Sequence, residues 1–232
     1  MEIFYFAPHQ DDELTNLGPA VCRDLTLGHG VRVVLCTDGA ASGVKRMLRD
    51  GGGCAWHTGA HRYALSAEAF TAARDREFLE SCACLGVAAE NARISPLRGP
   101  DGGLTRAQAE RIILEALSGF PPAECAVKTL APLPGVGQNP DHTALGLAAQ
   151  ALFRAGAFAS LTLMHEFIHL PPVPSLAGNV IRPAPQELER IKKAAAAYSR
   201  WAPAAGRYAV GFHSVADEFR DFLADPVCVE TV

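Results

Sequence analysis

EIFYFAPHQDDE, residues 2 to 13, decides how the rest of the chain is read, because an apolar run from Ile3 to Ala7 passes almost directly into His9, Asp11, Asp12 and Glu13. The run has the length and composition of a buried strand. The carboxylates that follow it repel one another and are costly together unless a cation or a hydrogen-bond network compensates them. Capping a helix needs only one such group, so a divalent metal explains the cluster better than a capped turn does.

Outward from this stretch, short apolar runs alternate with amphipathic ones. A helix is expected over residues 13–28, where Leu14, Leu17, Val21 and Leu25 recur at helical spacing, followed by a strand at 31–37. Residues 38–66 are rich in Gly, Ala and His without a sustained period and read as a long functional loop. A helix over 67–85 stops at Gly86, a strand is expected near 92–96, and a helix over 105–119 has Thr105 as its N-cap. A strand at 125–133, the polar cluster NPDH at 139–142, a helix over 142–155 and a strand at 160–170 follow. Beyond a proline-rich stretch at 171–185 the reading is one helix, about 186–200, and an irregular end.

Mostly continuous apolar strands separated by helices predict an α/β fold: a Rossmann-like, doubly wound, mostly parallel sheet with helices on both faces. Ligands of such folds sit beyond the carboxyl ends of the strands, where strand order reverses. Both polar clusters, PHQDDE and NPDH, come directly after expected strands. The length suits one domain over 1–232, with a core of about 2–170 and a C-terminal extension of about 171–232.

The formal net charge of −4 offers no polybasic footprint, which argues against nucleic acid and acidic membranes as partners. No run approaches the roughly 18 apolar residues of a membrane span, and MEIFYFAPHQ has neither a basic leader region nor a cleavage site. A cytoplasmic protein is therefore expected. The seven cysteines form no CxxC pair and fall mostly in apolar segments, as buried free thiols in a reducing compartment would.

Zinc commonly takes nitrogen and oxygen ligands, and a catalytic site combines three protein ligands with a position for water. His9, one of Asp11 and Asp12, and His142 would supply that set, leaving the other aspartate to act as a base on the water. NPDH alone is ordinary helix-starting chemistry, so His142 gains its meaning from the first cluster. His57 and His61 lie in the long loop, and His165 and His169 fall on one face of the expected fifth strand. Trp56, Tyr63 and Trp201 suit core packing or a stacking surface for a sugar, while His213 has no evident role.

PHQDDE followed by NPDH resembles the LmbE-like, or PIG-L, zinc-dependent N-acetylglucosaminyl deacetylases, whose motifs read roughly AHPDDE and HPDH. TDG at 37–39, RDRE at 74–77, LGV at 85–87, DGGL at 101–104 and GVGQNPDHTAL fall in the family's order, so the resemblance covers about residues 2–155. It implies that His9, Asp12 and His142 bind the metal, that Asp11 is the general base and that Arg74 lies on the substrate side. The residues alone equally allow Arg74 an ion pair with Glu77 on an exposed helix face. Glu13 is expected to support the loop and the start of the first helix.

The implied reaction removes an acetyl group from an N-acetylated amino sugar or its conjugate, with Zn2+ as cofactor or Fe2+ in its place, and it leaves a homo-oligomer open. Gln10 stands where the family has proline, and Asn139 where it has histidine. Asn139, on the substrate side, can donate a hydrogen bond but cannot move a proton. Two further readings follow: a metal-dependent amidase acting on another conjugate, and a catalytically impaired, metal-bearing glycan-binding protein.

Overall fold

Alternate side chains of the first strand, β1 (Glu2–Ala7), enter two different cores, as the period of an extended chain requires. The computed structural model describes residues 1–51, 54, 61–133, 137–169 and 178–231. After β1 come α1 (Asp12–Thr15), α2 (Gly18–Thr26), β2 (Gly30–Thr37), α3 (Val44–Asp50), α4 (Ala67–Leu85), β3 (Ala92–Gly99) and α5 (Arg106–Leu117). They are followed by β4 (Cys125–Leu130), α6 (Pro140–Arg154), β5 (Ser160–Met164), β6 (Asn179–Ile181) and α7 (Pro185–Tyr198). Two short strands, β7 (Trp201–Ala202) and β8 (Arg207–Tyr208), precede α8 (Val210–Ala224) and β9 (Cys228–Glu230).

The main sheet has the order β3-β2-β1-β4-β5-β9-β6, parallel from β3 to β5, with β9 antiparallel to both of its neighbours. Ile3, Tyr5 and Ala7 pack with residues of α2, α4, α7 and α8 such as Val21, Phe78, Tyr198 and Phe219. Phe4 and Phe6 point the other way, against Ile112 and Ile113 of α5 and Leu145 of α6. The chain leaves β1 toward β2 and later returns to place β4 on the other side, so strand order reverses between β1 and β4. The PHQDDE loop leaves β1 at that point, and α6 begins beyond the end of β4.

Gly146 sets how closely α6 approaches. A Cβ on it would lie 2.6 Å from the Leu130 carbonyl oxygen and 2.7 Å from Pro132 Cδ. Gly146→Ala is therefore expected to cost about 1–3 kcal/mol through overpacking. Because His142 lies one turn earlier on the same helix, the variant should also bind metal more weakly. Chemical denaturation and metal titration of the variant check the two effects together.

Several local expectations need correction. The helix over 13–28 is two helices, because Pro19 lacks an N–H and starts α2 afresh. The break turns Asn16 toward the polar cluster, where its amide donates to Asp12 Oδ1 at 2.6 Å. The strand at 160–170 ends at Met164 and gives way to a 3-10 turn over Phe167–His169, where the Phe167 N–H donates to Asn16 Oδ1 at 2.6 Å. The stretch 38–66 contains α3, whose Val44 and Leu48 alone bury among charged residues, packing on Phe70 and Val210. The C-terminal region is not irregular: α8 and β9 return to the main sheet and its core. Among the described residues no helix is long and apolar enough to cross a membrane.

Candidate metal centre

His9, Asp12 and His142 meet above the ends of β1 and β4, bringing together residues 133 positions apart. His9 Nδ1 and His142 Nε2 are 3.0 Å apart, and each lies 3.3 Å from Asp12 Oδ2. All three residues are buried. The carboxylate is fixed from behind, with Oδ2 accepting from the His9 backbone N–H at 2.7 Å and Oδ1 from Asn16.

Outer partners decide which ring nitrogens can bind a cation. His9 Nε2 lies 3.0 Å from Asp141 Oδ2, and Asp141 also accepts from the N–H groups of Gly102 at 2.7 Å and Leu104 at 2.8 Å. Burial opposes charge on Asp141, but His9 and these two N–H groups hold its carboxyl below the usual range. A charged carboxylate places the His9 hydrogen on Nε2 and turns the Nδ1 lone pair inward. His142 is faced in a similar way by Glu166, whose Oε1 lies 3.2 Å from Nδ1 in ion-pair range but without hydrogen-bond geometry, and its Nε2 faces inward. The second acidic group around His9, formed with Asp101 and Asp141, is better read as this outer support, because both Asp141 oxygens already accept backbone hydrogens.

Three acceptors thus converge on one point. Bonds of about 2.0–2.1 Å at a tetrahedral ion would separate such ligand atoms by about 3.3–3.4 Å, close to the spacing found. Protons answer the crowding where a cation does not: burial disfavours charge on His142, yet Asp12 lifts its pKa to about 9. Burial likewise opposes ionisation of Asp12, but His142 and His9 hold its carboxyl far below the ordinary range. The donor set, its spacing and its outer hydrogen bonds all fit a divalent ion of the zinc type.

Asp11 diverges from Asp12 because its backbone takes φ 121°, a conformation that L residues rarely adopt and that costs of the order of 1–3 kcal/mol. Glu13 holds the turn, accepting from the Asp11 N–H at 3.0 Å and from the buried Tyr198 hydroxyl at 2.6 Å. The Asp11 carboxylate lines the cleft, 3.6 Å from Arg74 Nη2. Burial, then the charge of Asp12, push its pKa up to about 7.

Arg74 is buried on α4 rather than paired with Glu77 on an exposed face. Its guanidinium donates to the carbonyls of Gly39 at 2.9 Å and Gln10 at 3.0 Å, tying the loops after β1 and β2 together. Glu77 instead accepts from the backbone N–H groups of Val210 and Gly211. Gln10, in the proline position, is buried and donates to Asp75 at 3.0 Å. Asn139 caps α6, its Oδ1 accepting from the Asp141 N–H at 2.9 Å, and it also lines the cleft.

The cleft measures about 500 Å³, with Asp11, Arg74, Asn139, His169 and Glu218 in its wall. A larger cavity of about 770 Å³ shares Ala41 and Ser42 with it and is lined by Lys45, Arg46 and Arg49, but among the described residues no metal-ligating cluster lies in its wall. Tyr63 and Trp201 pack into a small core with Tyr208, the first of the two uses the sequence allows them, and Trp56 and His57 lie outside the described residues. His165 lies outside the cleft wall.

Sequence reasoning passed over Asp141, Glu166 and Asn16. Asp141 and Glu166 each follow a parallel strand, as the candidate ligands do, and that shared position was the available signal. Asp141→Asn is expected to weaken metal binding by about 10–100-fold, since the amide can present an amino group to His9 and loses one backbone acceptor. Titration of the metal-free variant with zinc against a competing chelator measures this.

Residues 4–153 match the family described as PIG-L: GlcNAc-PI de-N-acetylase. No curated protein sequence gives a significant match. Among solved structures, a deacetylase triple mutant of the teicoplanin biosynthetic pathway is 18% identical with a TM-score of 0.65, covering 100% of this chain and 98% of its own. The N,N'-diacetylchitobiose deacetylase from Pyrococcus horikoshii is 17% identical with a TM-score of 0.61, covering 95% and 76% respectively. A 4-carboxy-2-hydroxymuconate hydratase from Pseudomonas putida is 14% identical with a TM-score of 0.50, covering 100% and 95%. At such identities these likenesses establish the fold, which evidently houses more than one reaction.

Proposed function

The chain belongs to the PIG-L: GlcNAc-PI de-N-acetylase family, and from that premise we propose that it is a metal-dependent hydrolase that removes an N-acetyl group from an amino sugar or its conjugate. The observation that carries this reading is the convergence of His9 Nδ1, Asp12 Oδ2 and His142 Nε2 on one point, with a second carboxylate, Asp11, beside it in the cleft. Zinc is the expected ion, with Fe2+ as the alternative. A divalent ion held there supplies Lewis acidity, lowering the pKa of water and polarising an acyl oxygen.

The chain's own residues supply the rest. Asp11 accepts the proton of the attacking water and returns it to the departing nitrogen, so that acetate and a free amine leave. Arg74 keeps the Asp11 carboxylate beside the reacting centre, and the Asn139 amide can donate to the acyl oxygen. The adjoining groove with Lys45, Arg46 and Arg49 would receive the remainder of a conjugate and favours an anionic one.

Incubation of the reconstituted protein with a panel of N-acetylated amino sugars and their conjugates, reading the free amine and acetate together, tests the function. Equal amounts of both products from at least one member are expected. Binding of panel members without any product would instead support the glycan-binding reading. One observation favours that alternative: Asn139 stands where the family's motif has a histidine, and an amide cannot move a proton.

A further inference from the structure

We propose a second metal site, distinct from the cleft, in which Cys54, His61 and His213 bind a zinc-type ion that ties Cys54 and His61 to the start of α8. The three ligand atoms lie within 4.8 Å of one another. His213 Nε2 is 3.2 Å from Cys54 Sγ and 3.2 Å from His61 Nε2. Around a tetrahedral ion with bonds of about 2.0–2.1 Å to nitrogen and about 2.3 Å to sulfur, the corresponding separations are about 3.3–3.6 Å. The two separations to His213 are within a few tenths of an ångström of those values, and the third is bounded at 4.8 Å.

The site has outer support of the kind metal-binding histidines use. His213 Nδ1 lies 3.0 Å from the Tyr208 carbonyl oxygen, which can only accept, so the hydrogen sits on Nδ1 and the Nε2 lone pair of the neutral ring faces the other two ligands. His61 is fully buried, and its ring lies against Trp201 with centroids 4.4 Å apart. Thiolate with two imidazoles is a ligand set that selects zinc-like ions over calcium or magnesium. The other cysteines are dispersed through the apolar cores, whereas Cys54 is the one grouped with two histidines among the described residues.

The clamp has a structural consequence for the neighbouring cleft. Ser214 and Val215, which follow His213 directly, line the cleft, and Val215 breaks the helical conformation of α8 there. Fixing His213 to Cys54 and His61 would hold that wall in place. The proposal does not depend on the reaction carried out in the cleft.

The sulfur ligand makes the test specific. Metal-free, full-length protein loaded with Co2+ is expected to bind two equivalents and to show a thiolate-to-cobalt charge-transfer absorption, which the His9, Asp12 and His142 set cannot produce. Cys54→Ser and His213→Ala, checked for native circular dichroism, should each lose the absorption and one equivalent. His142→Ala should keep the absorption while losing the other equivalent. A wild-type protein that binds one equivalent without the absorption, or an absorption that survives in Cys54→Ser, would overturn the proposal.

Discussion

Asp11→Asn is expected to lower acetate release by about 10²–10⁴-fold, the usual contribution of a positioned general base, while metal content stays at the wild-type level. The asparagine fits the same turn, because the Asp11 N–H bond to Glu13 is made by the backbone and the Arg74 contacts to Gln10 and Gly39 do not involve the side chain. Asparagine also tolerates positive φ better than most residues. What it loses is the ability to take a proton. Such a loss corresponds to about 3–5 kcal/mol of transition-state stabilisation. Initial rates at saturating substrate, with metal analysis of the same samples, give the result, and unchanged rates would remove Asp11 from the role of base.

His142→Ala should abolish acetate release by emptying the centre itself. Removing one of three ligands takes away roughly a third of a binding free energy of about 10–16 kcal/mol, weakening zinc binding by about 10²–10⁴-fold or more. It also leaves Glu166 buried without the imidazole that faces it. Some loss of stability is therefore expected alongside the loss of metal. Competition titration separates the two, since a folded variant with wild-type zinc affinity would exclude His142 as a ligand.

The strands and their parallel order were legible because Val33 to Cys36 and Cys125 to Val127 are buried apolar runs, with Arg32 and Lys128 as single charged interruptions of strands that are otherwise almost wholly buried. Less was legible where tertiary contacts override local pattern. Leu14, Leu17 and Val21 keep helical spacing across a break that only Gly18 and Pro19 announce. The end of β5 is set by a hydrogen bond from Phe167 to Asn16, 151 residues away in sequence, which no window of pattern contains.

The candidate site divides in the same way. His9, Asp12 and His142 were readable from residue type, spacing and family resemblance, and the fold brings them into one cluster. Their supports were not readable, because Asp141 and Glu166 acquire meaning only once particular imidazole nitrogens face them. The grouping of Cys54 with His61 and His213 needed the fold to join two segments 159 positions apart.

Acetate release from a responsive N-acetylated amino sugar by chelator-treated protein, before and after zinc or Fe2+ is restored, tests the central claim most directly. Activity should disappear with the metal, return on reconstitution of the wild type, and fail to return in His142→Ala. Full activity in protein shown to be metal-free would contradict the account.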